Sequence, residues 1–162
     1  GLHPVDCDRV YGQLTVPGAP LLQDLAAAFG QEIIQDGALD RKTLAAKAFA
    51  TPAATEKLDQ VTHPAVLDAC VQQAKIPAVL DAPQLFESGA DALCAYTLAV
   101  TAPKDTRLAR IMERDGIDRA AAQLRMQAQP AADFYTEKCT FTVTNDGRDI
   151  KSQVDRILEA IL

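Results

Sequence analysis

Pro77-Ala78-Val79-Leu80-Asp81 and Thr97-Leu98-Ala99-Val100-Thr101 are two short, nearly continuous apolar runs. A strand with one wet face alternates apolar and polar side chains, whereas an unbroken apolar run suits a strand covered on both faces, as in a parallel sheet. Two further stretches extend the pattern: Phe141-Thr142-Val143-Thr144 downstream, and Pro4-Val5-Asp6-Cys7-Asp8 upstream, an apolar start with a polar end. Strands are therefore expected near 4–8, 77–82, 96–101 and 141–145.

Between the strands the apolar period changes to that of a helix. Arg9 to Leu14 predicts a short helix, and Leu21, Leu22, Leu25, Ala28 and Phe29 a second, with Gly30 suited to its C-terminal cap. Asp40 is placed to cap a third helix, whose buried stripe is Leu44, Ala48 and Phe49. Thr51-Pro52 reads as a cap followed by a first-turn proline, and His63-Pro64 reads as the same device repeated. Further on, 104–114 and 118–129 predict two helices split by Gly116, and Ile150, Val154, Ile157, Leu158 and Ile161 line one face of a last helix. Strands alternating with helices imply right-handed crossovers and an α/β fold with a doubly wound parallel sheet and helices on both faces. At 162 residues the chain has material for one core, so a single domain over 1–162 is expected.

The net charge of −6 argues against a nucleic-acid or anionic-membrane surface. No run approaches the roughly 18 apolar residues of a membrane-spanning helix. Cys7, Cys70, Cys94 and Cys139 form no C-x-x-C pair, which argues against a zinc or redox motif and makes a reduced, soluble, cytoplasmic protein the expectation. A small polyanionic substrate would need arginines concentrated against the acidic background. Arg107, Arg110 and Arg114 fall at i, i+3 and i+7 of one helix, and Arg119 and Arg125 follow on the next. The planar guanidinium fork suits phosphate. The same residues also read as a solvated face paired with Asp105, Glu113, Asp115 and Asp118.

In open α/β sheets ligands gather at the carboxyl ends of the strands. Three polar sets stand there: Asp6 with Asp8, Asp81 through Glu87, and Asn145-Asp146-Gly147. A carboxylate so placed can accept a hydroxyl proton or bond a sugar. Asp8 equally reads as the cap of the helix that follows, Asn145-Asp146-Gly147 as a tight turn, and His63 as a capping or core histidine.

Taken in order, Val5-Asp6-Cys7-Asp8, Pro17-Gly18-Ala19-Pro20, Phe29-Gly30, Asp36-Gly37-Ala38-Leu39-Asp40-Arg41, His63-Pro64, Asp81-Ala82-Pro83-Gln84-Leu85-Phe86-Glu87, Arg114-Asp115-Gly116, Arg125-Met126-Gln127-Ala128-Gln129 and Asn145-Asp146-Gly147 resemble the dephospho-CoA kinases, a family of P-loop kinases. The resemblance implies ATP-dependent phosphorylation of the ribose 3′-hydroxyl of dephospho-CoA, with ATP and Mg2+ required. Asp8 would be the base that takes the hydroxyl proton, and Asp6, His63, Pro83 and Glu87 would belong to the acceptor pocket. Arg114 would reach the transferring phosphoryl group, Arg119 and Arg125 would join it in a lid at about 114–130, and Asn145 and Gly147 would lie near the adenine. The helices of about 20–74 would form the CoA-substrate region.

Several positions depart from the family pattern. The family opens with a strand running into G-x-x-x-x-G-K-[ST], and no such loop occurs in the 162 residues. The first strand and its loop are expected in about 20 further N-terminal residues, since the loop's amides and lysine hold the ATP phosphates. Gln84 stands where an apolar or small residue is usual, the span from His63 to Pro83 is short, and Cys139-Thr140 replaces a common Ala-Asp. Two other readings compete: a different small-molecule P-loop kinase, which would share the sheet and lid arginines but not the Asp6-x-Asp8, His63-Pro64 and 81–87 set, and a loop-less binding protein without catalysis.

Overall fold

A computed structural model of the chain describes residues 1–161. They divide into two compact units, Gly1–Leu93 and the remainder from Cys94 onward.

In the first unit the order is β1 (His3–Asp6), α1 (Cys7–Leu14), α2 (Pro20–Phe29), a 3-10 turn at Gln31–Ile33, β2 (Ile34–Gln35), β3 (Ala38–Leu39), α3 (Arg41–Ala48), α4 (Pro52–Gln73) and β4 (Ala78–Asp81). β1 and β4 are parallel, with Val5 opposite Leu80 and Asp6 opposite Asp81. β2 and β3 form a small antiparallel hairpin about Asp36-Gly37. The expected caps form: Asp40 Oδ1 accepts from the Lys42 and Thr43 amides at 3.0 and 3.2 Å, and Thr51 Oγ1 from Ala54 at 3.2 Å. Gly30 closes α2 by donating its N–H to Ala26 O at 2.8 Å.

Two apolar clusters hold this unit together. Leu21, Leu25, Ala26, Phe29, Ile33, Leu44 and Ala48 make the larger, and Val5, Cys7, Val10 and Cys70 the smaller. Leu25 and Ile33 are completely buried, worth about 1.5–3 kcal/mol apiece against exposure. α4 serves both clusters: Ala54, Leu58, Val61 and Ala65 face the first, and Val66, Ala69 and Cys70 the second.

That double anchorage explains the main departure from expectation in this region. His63-Pro64 begins no new helix; α4 runs through it from Pro52 to Gln73 with Pro64 inside. A proline there removes the bond to the Gln60 carbonyl and costs about 3 kcal/mol. Burial on both sides of Pro64 offsets the loss, so the helix continues. A second difference lies at β1, which stops at Asp6, so that Cys7 and Asp8 are helical rather than extended.

In the second unit the order is β5 (Leu98–Thr101), α5 (Lys104–Asp115), α6 (Arg119–Gln127), α7 (Ala132–Lys138), β6 (Phe141–Thr144) and α8 (Ile150–Ile161). β5 and β6 are parallel, with Thr101 opposite Thr144. Ala99, Leu108, Ala122 and Val143 are its buried apolar residues. Gly116, at φ +62°, separates α5 from α6 by a left-handed turn that a side chain would resist. α8 is tied to the strand end by its Gln153 amide, which accepts from Thr144 N at 3.0 Å and donates to Thr144 O at 3.1 Å.

Mixed α/β architecture with parallel strands is thus present in both units. The strands are less covered than unbroken apolar runs suggest: Val79 is 46% exposed and Val100 66%. Each strand of β1–β4 and β5–β6 has one ladder partner among the described residues.

Candidate active site

Because Asp6 and Asp81 are register partners at the last position of β1–β4, two carboxylates end side by side where α1 begins. They do different work. Asp6 Oδ1 accepts the Arg9 N–H at 2.9 Å and is the N-cap of α1. Asp8, for which a capping role was an open reading, sits in the first helical turn, exposed, with no side-chain hydrogen bond or ion pair among the described residues. The unpaired amides of a helix N-terminus favour a negative charge there.

Between them Cys7 points inward. Its thiol lies 3.6 Å from that of Cys70, and burial together with this neighbour pushes it up to about 12. A thiol so shifted is not a nucleophile at neutral pH, and its contribution is packing between α1 and α4.

Pro83 and Glu87 are exposed on the tight turn after β4. That turn is braced by Ser88 N–H to Gln84 O at 3.0 Å and Ala90 N–H to Leu85 O at 3.0 Å. His63 reaches it from α4, with Nε2 3.1 Å from Gln84 Oε1 and 3.5 Å from Asp59 Oδ1. Its partner is therefore a turn residue, and the capping role weighed from sequence falls away.

In the second unit Arg114 and Arg125 converge on one carboxylate. Arg114 forks Asp115, with Nε to Oδ1 at 2.7 Å and Nη2 to Oδ2 at 3.0 Å, while Arg125 Nη1 donates to the same Oδ2. The Arg114 hydrogen bond, then the charges of Arg114 and Arg125, hold the Asp115 carboxyl below its ordinary range. Arg119 pairs instead with Asp105 across 3.6 Å. All three arginine side chains remain more than half exposed.

Asn145 follows β6 directly, and its N–H donates to Thr101 O at 2.7 Å, continuing the ladder beyond the strand. Its side-chain Oδ1 accepts from Arg110 Nη2 at 3.2 Å. Gly147 sits at φ +89°, a value the Asn-Asp-Gly turn reserves for glycine. Arg110 carried little weight from sequence alone, although it lies one turn before Arg114 on the same helix face. That i, i+4 spacing was the available signal.

Carboxylates at the carboxyl end of one parallel pair, and arginine-rich helices with an asparagine-glycine turn in the second unit, are groups suited to an α/β protein that handles small phosphorylated molecules. The comparisons make the class particular. A family model described as dephospho-CoA kinase matches residues 1–151. The dephospho-CoA kinase of Anaeromyxobacter dehalogenans is 38% identical over 168 residues, covering 98% of this chain and 80% of the relative. That of Syntrophotalea carbinolica is 36% identical over 155 residues, covering 91% and 74%. Among solved structures, that of TT1252 from Thermus thermophilus superposes with a TM-score of 0.82 at 28% identity, covering 100% of this chain and 85% of the other. The dephospho-CoA kinase from Campylobacter jejuni shares the fold, with a TM-score of 0.67 at 23% identity over 99% of this chain and 85% of the other. The chain belongs to the dephospho-CoA kinase family.

Proposed function

We propose that this chain, acting with a P-loop that its 162 residues do not contain, carries out the ATP-dependent phosphorylation of the ribose 3′-hydroxyl of dephospho-CoA, the last step of coenzyme A synthesis. Family membership carries the reaction. The observation that carries the assignment of the base is the free carboxylate of Asp8 at the start of α1, beside a neighbour already committed to capping.

In this reading Asp8 accepts the proton of the attacking hydroxyl, raising its nucleophilicity as it approaches the terminal phosphorus of ATP. Asp6, His63, Pro83 and Glu87 belong to the acceptor side. Arg114, Arg119 and Arg125 supply positive charge to the ATP phosphates, whose transition state spreads charge over several oxygens. Asp115 stores two of these arginines in a defined geometry until phosphate competes for them. Asn145 and Gly147 serve the adenine, with Arg110 setting the asparagine side chain.

Magnesium, when bound, neutralises charge on the nucleotide phosphates. Among the described residues no three histidine, cysteine, aspartate or glutamate side chains are grouped to hold a metal. Among the described residues no helix is long and apolar enough to cross a membrane. A cytoplasmic location is the reading that family membership supports.

The test is ATP- and magnesium-dependent conversion of dephospho-CoA to CoA, read by mass. Turnover that Asp8→Asn removes is the expected result. Turnover of a nucleoside or nucleotide in preference to dephospho-CoA would move the chain to a different kinase, and ATP binding without any turnover would leave a binding protein.

A further inference from the structure

Two acceptor groups address one nitrogen of His63. Asp59 Oδ1 stands 3.5 Å and Gln84 Oε1 3.1 Å from Nε2. A carboxylate can only accept, so a proton on Nε2 is the arrangement that suits both neighbours, with Gln84 as hydrogen-bond acceptor and Asp59 within ion-pair reach. With N–H at that position, Gln84 must turn its carbonyl oxygen to the ring, since its NH2 would meet another donor. Asp59 thereby favours, through the ring, the amide orientation that Gln84 shows.

The consequence lies on the other side of the amide. Gln84 is exposed, and its NH2 has no acceptor among the described residues. Its backbone is held by the Ser88 N–H at 3.0 Å, so the donor projects from a fixed turn. That turn begins directly after Asp81, the register partner of Asp6, and therefore borders the carboxylate end of β1–β4.

We infer that Gln84 is a specificity-determining residue for the phosphate acceptor: a pre-oriented NH2 donor, set by Asp59 through His63, that takes an acceptor oxygen of dephospho-CoA. The inference rests on the acceptor-side reading given above. The strongest acceptor oxygens of dephospho-CoA are the amide carbonyls of its pantetheine arm and those of its diphosphate. An oriented donor gains affinity because little side-chain freedom remains to be lost on binding.

The test joins ring spectroscopy to binding and kinetics on the full protein. In the free protein, 15N shifts of His63 should report the Nε2–H tautomer; an Nδ1–H tautomer would overturn the orientation argument whatever the enzyme does. Gln84→Glu keeps an acceptor for the ring but no donor, and Gln84→Leu keeps neither. Both should weaken dephospho-CoA about three- to tenfold, by direct titration and in KM, with kcat and the KM for ATP unchanged. Affinity equal to wild type in both variants would overturn the proposal. ADP-ribose, which has the diphosphate but no pantetheine amides, sorts the two oxygens: a matching loss in its inhibition constant places the donor on phosphate, and no change places it on an amide carbonyl. Dephospho-CoA that titrates normally but is never phosphorylated would count against the kinase reading while leaving the Gln84 donor standing.

Discussion

Asp6 accepts the backbone N–H of Arg9 at 2.9 Å, so the N-terminus of α1 is capped two residues before Asp8. The two aspartates of one short motif are thus separated in role. Asp8→Asn should lower kcat for dephospho-CoA by about a hundredfold or more while costing only about 0.3 kcal/mol of stability, the low end for a first-turn charge, because that carboxylate has no side-chain partner among the described residues. Asp6→Ala should instead destabilise by about 1 kcal/mol, and Asp6→Asn by little, since asparagine also caps. Denaturant titration beside steady-state kinetics separates the two patterns; a matched loss of stability in Asp8→Asn would refute this division.

Arg110 and Asn145 come together across 35 residues of sequence. If the asparagine faces the adenine, Arg110→Ala should raise the KM for ATP several-fold, the scale of one charge-assisted hydrogen bond, and leave the KM for dephospho-CoA alone. A rise in the dephospho-CoA constant instead would assign this pair to the acceptor.

The Asp115 carboxyl, hydrogen-bonded first by Arg114 and then facing Arg125, is held below its ordinary range. A depressed carboxyl contributes stability above the unfolded value, about 4, and loses it as pH falls through the lower folded value. Between pH 5 and pH 3 the wild type should therefore lose more stability than Asp115→Asn, which has no such proton to take up. Parallel pH profiles of the two proteins would show the attribution to be mistaken.

Pro64 lies inside α4 and leaves the Gln60 carbonyl without its helical partner. Pro64→Ala should stabilise the first unit by about 1–3 kcal/mol, read as a higher unfolding midpoint. A fall in midpoint would mean that the proline ring contributes more by packing than its missing N–H costs.

Leu25 is fully buried in the larger apolar cluster, beside Phe29 and Ile33. Leu25→Ala should cost about 2–5 kcal/mol, and Leu124→Ala, at a residue 68% exposed, should cost little. Equal losses in chemical denaturation would contradict the placement of this core.

The amino-acid sequence by itself determined whatever is decided within one turn of chain. The caps at Asp40 and Thr51 and the breaks at Gly30 and Gly116 follow from side chains and backbone freedom two to four residues away. The apolar face of α8 and the strand runs around Val79 and Val100 are equally local patterns, and the ordered motifs from Asp6 to Gly147 were sufficient for the family. Tertiary structure alone decided the rest. Pro64 reads locally as a helix start, and only burial of α4 against two clusters carries the helix through it. Asp6 rather than Asp8 became the cap because β1 ends level with β4, at a register set by strand pairing. His63 meets Gln84 across 21 residues and Arg110 meets Asn145 across 35. Such pairs carry no local signal, because a hydrogen bond a few ångströms long depends on where the packed elements bring its two ends, not on their distance along the chain.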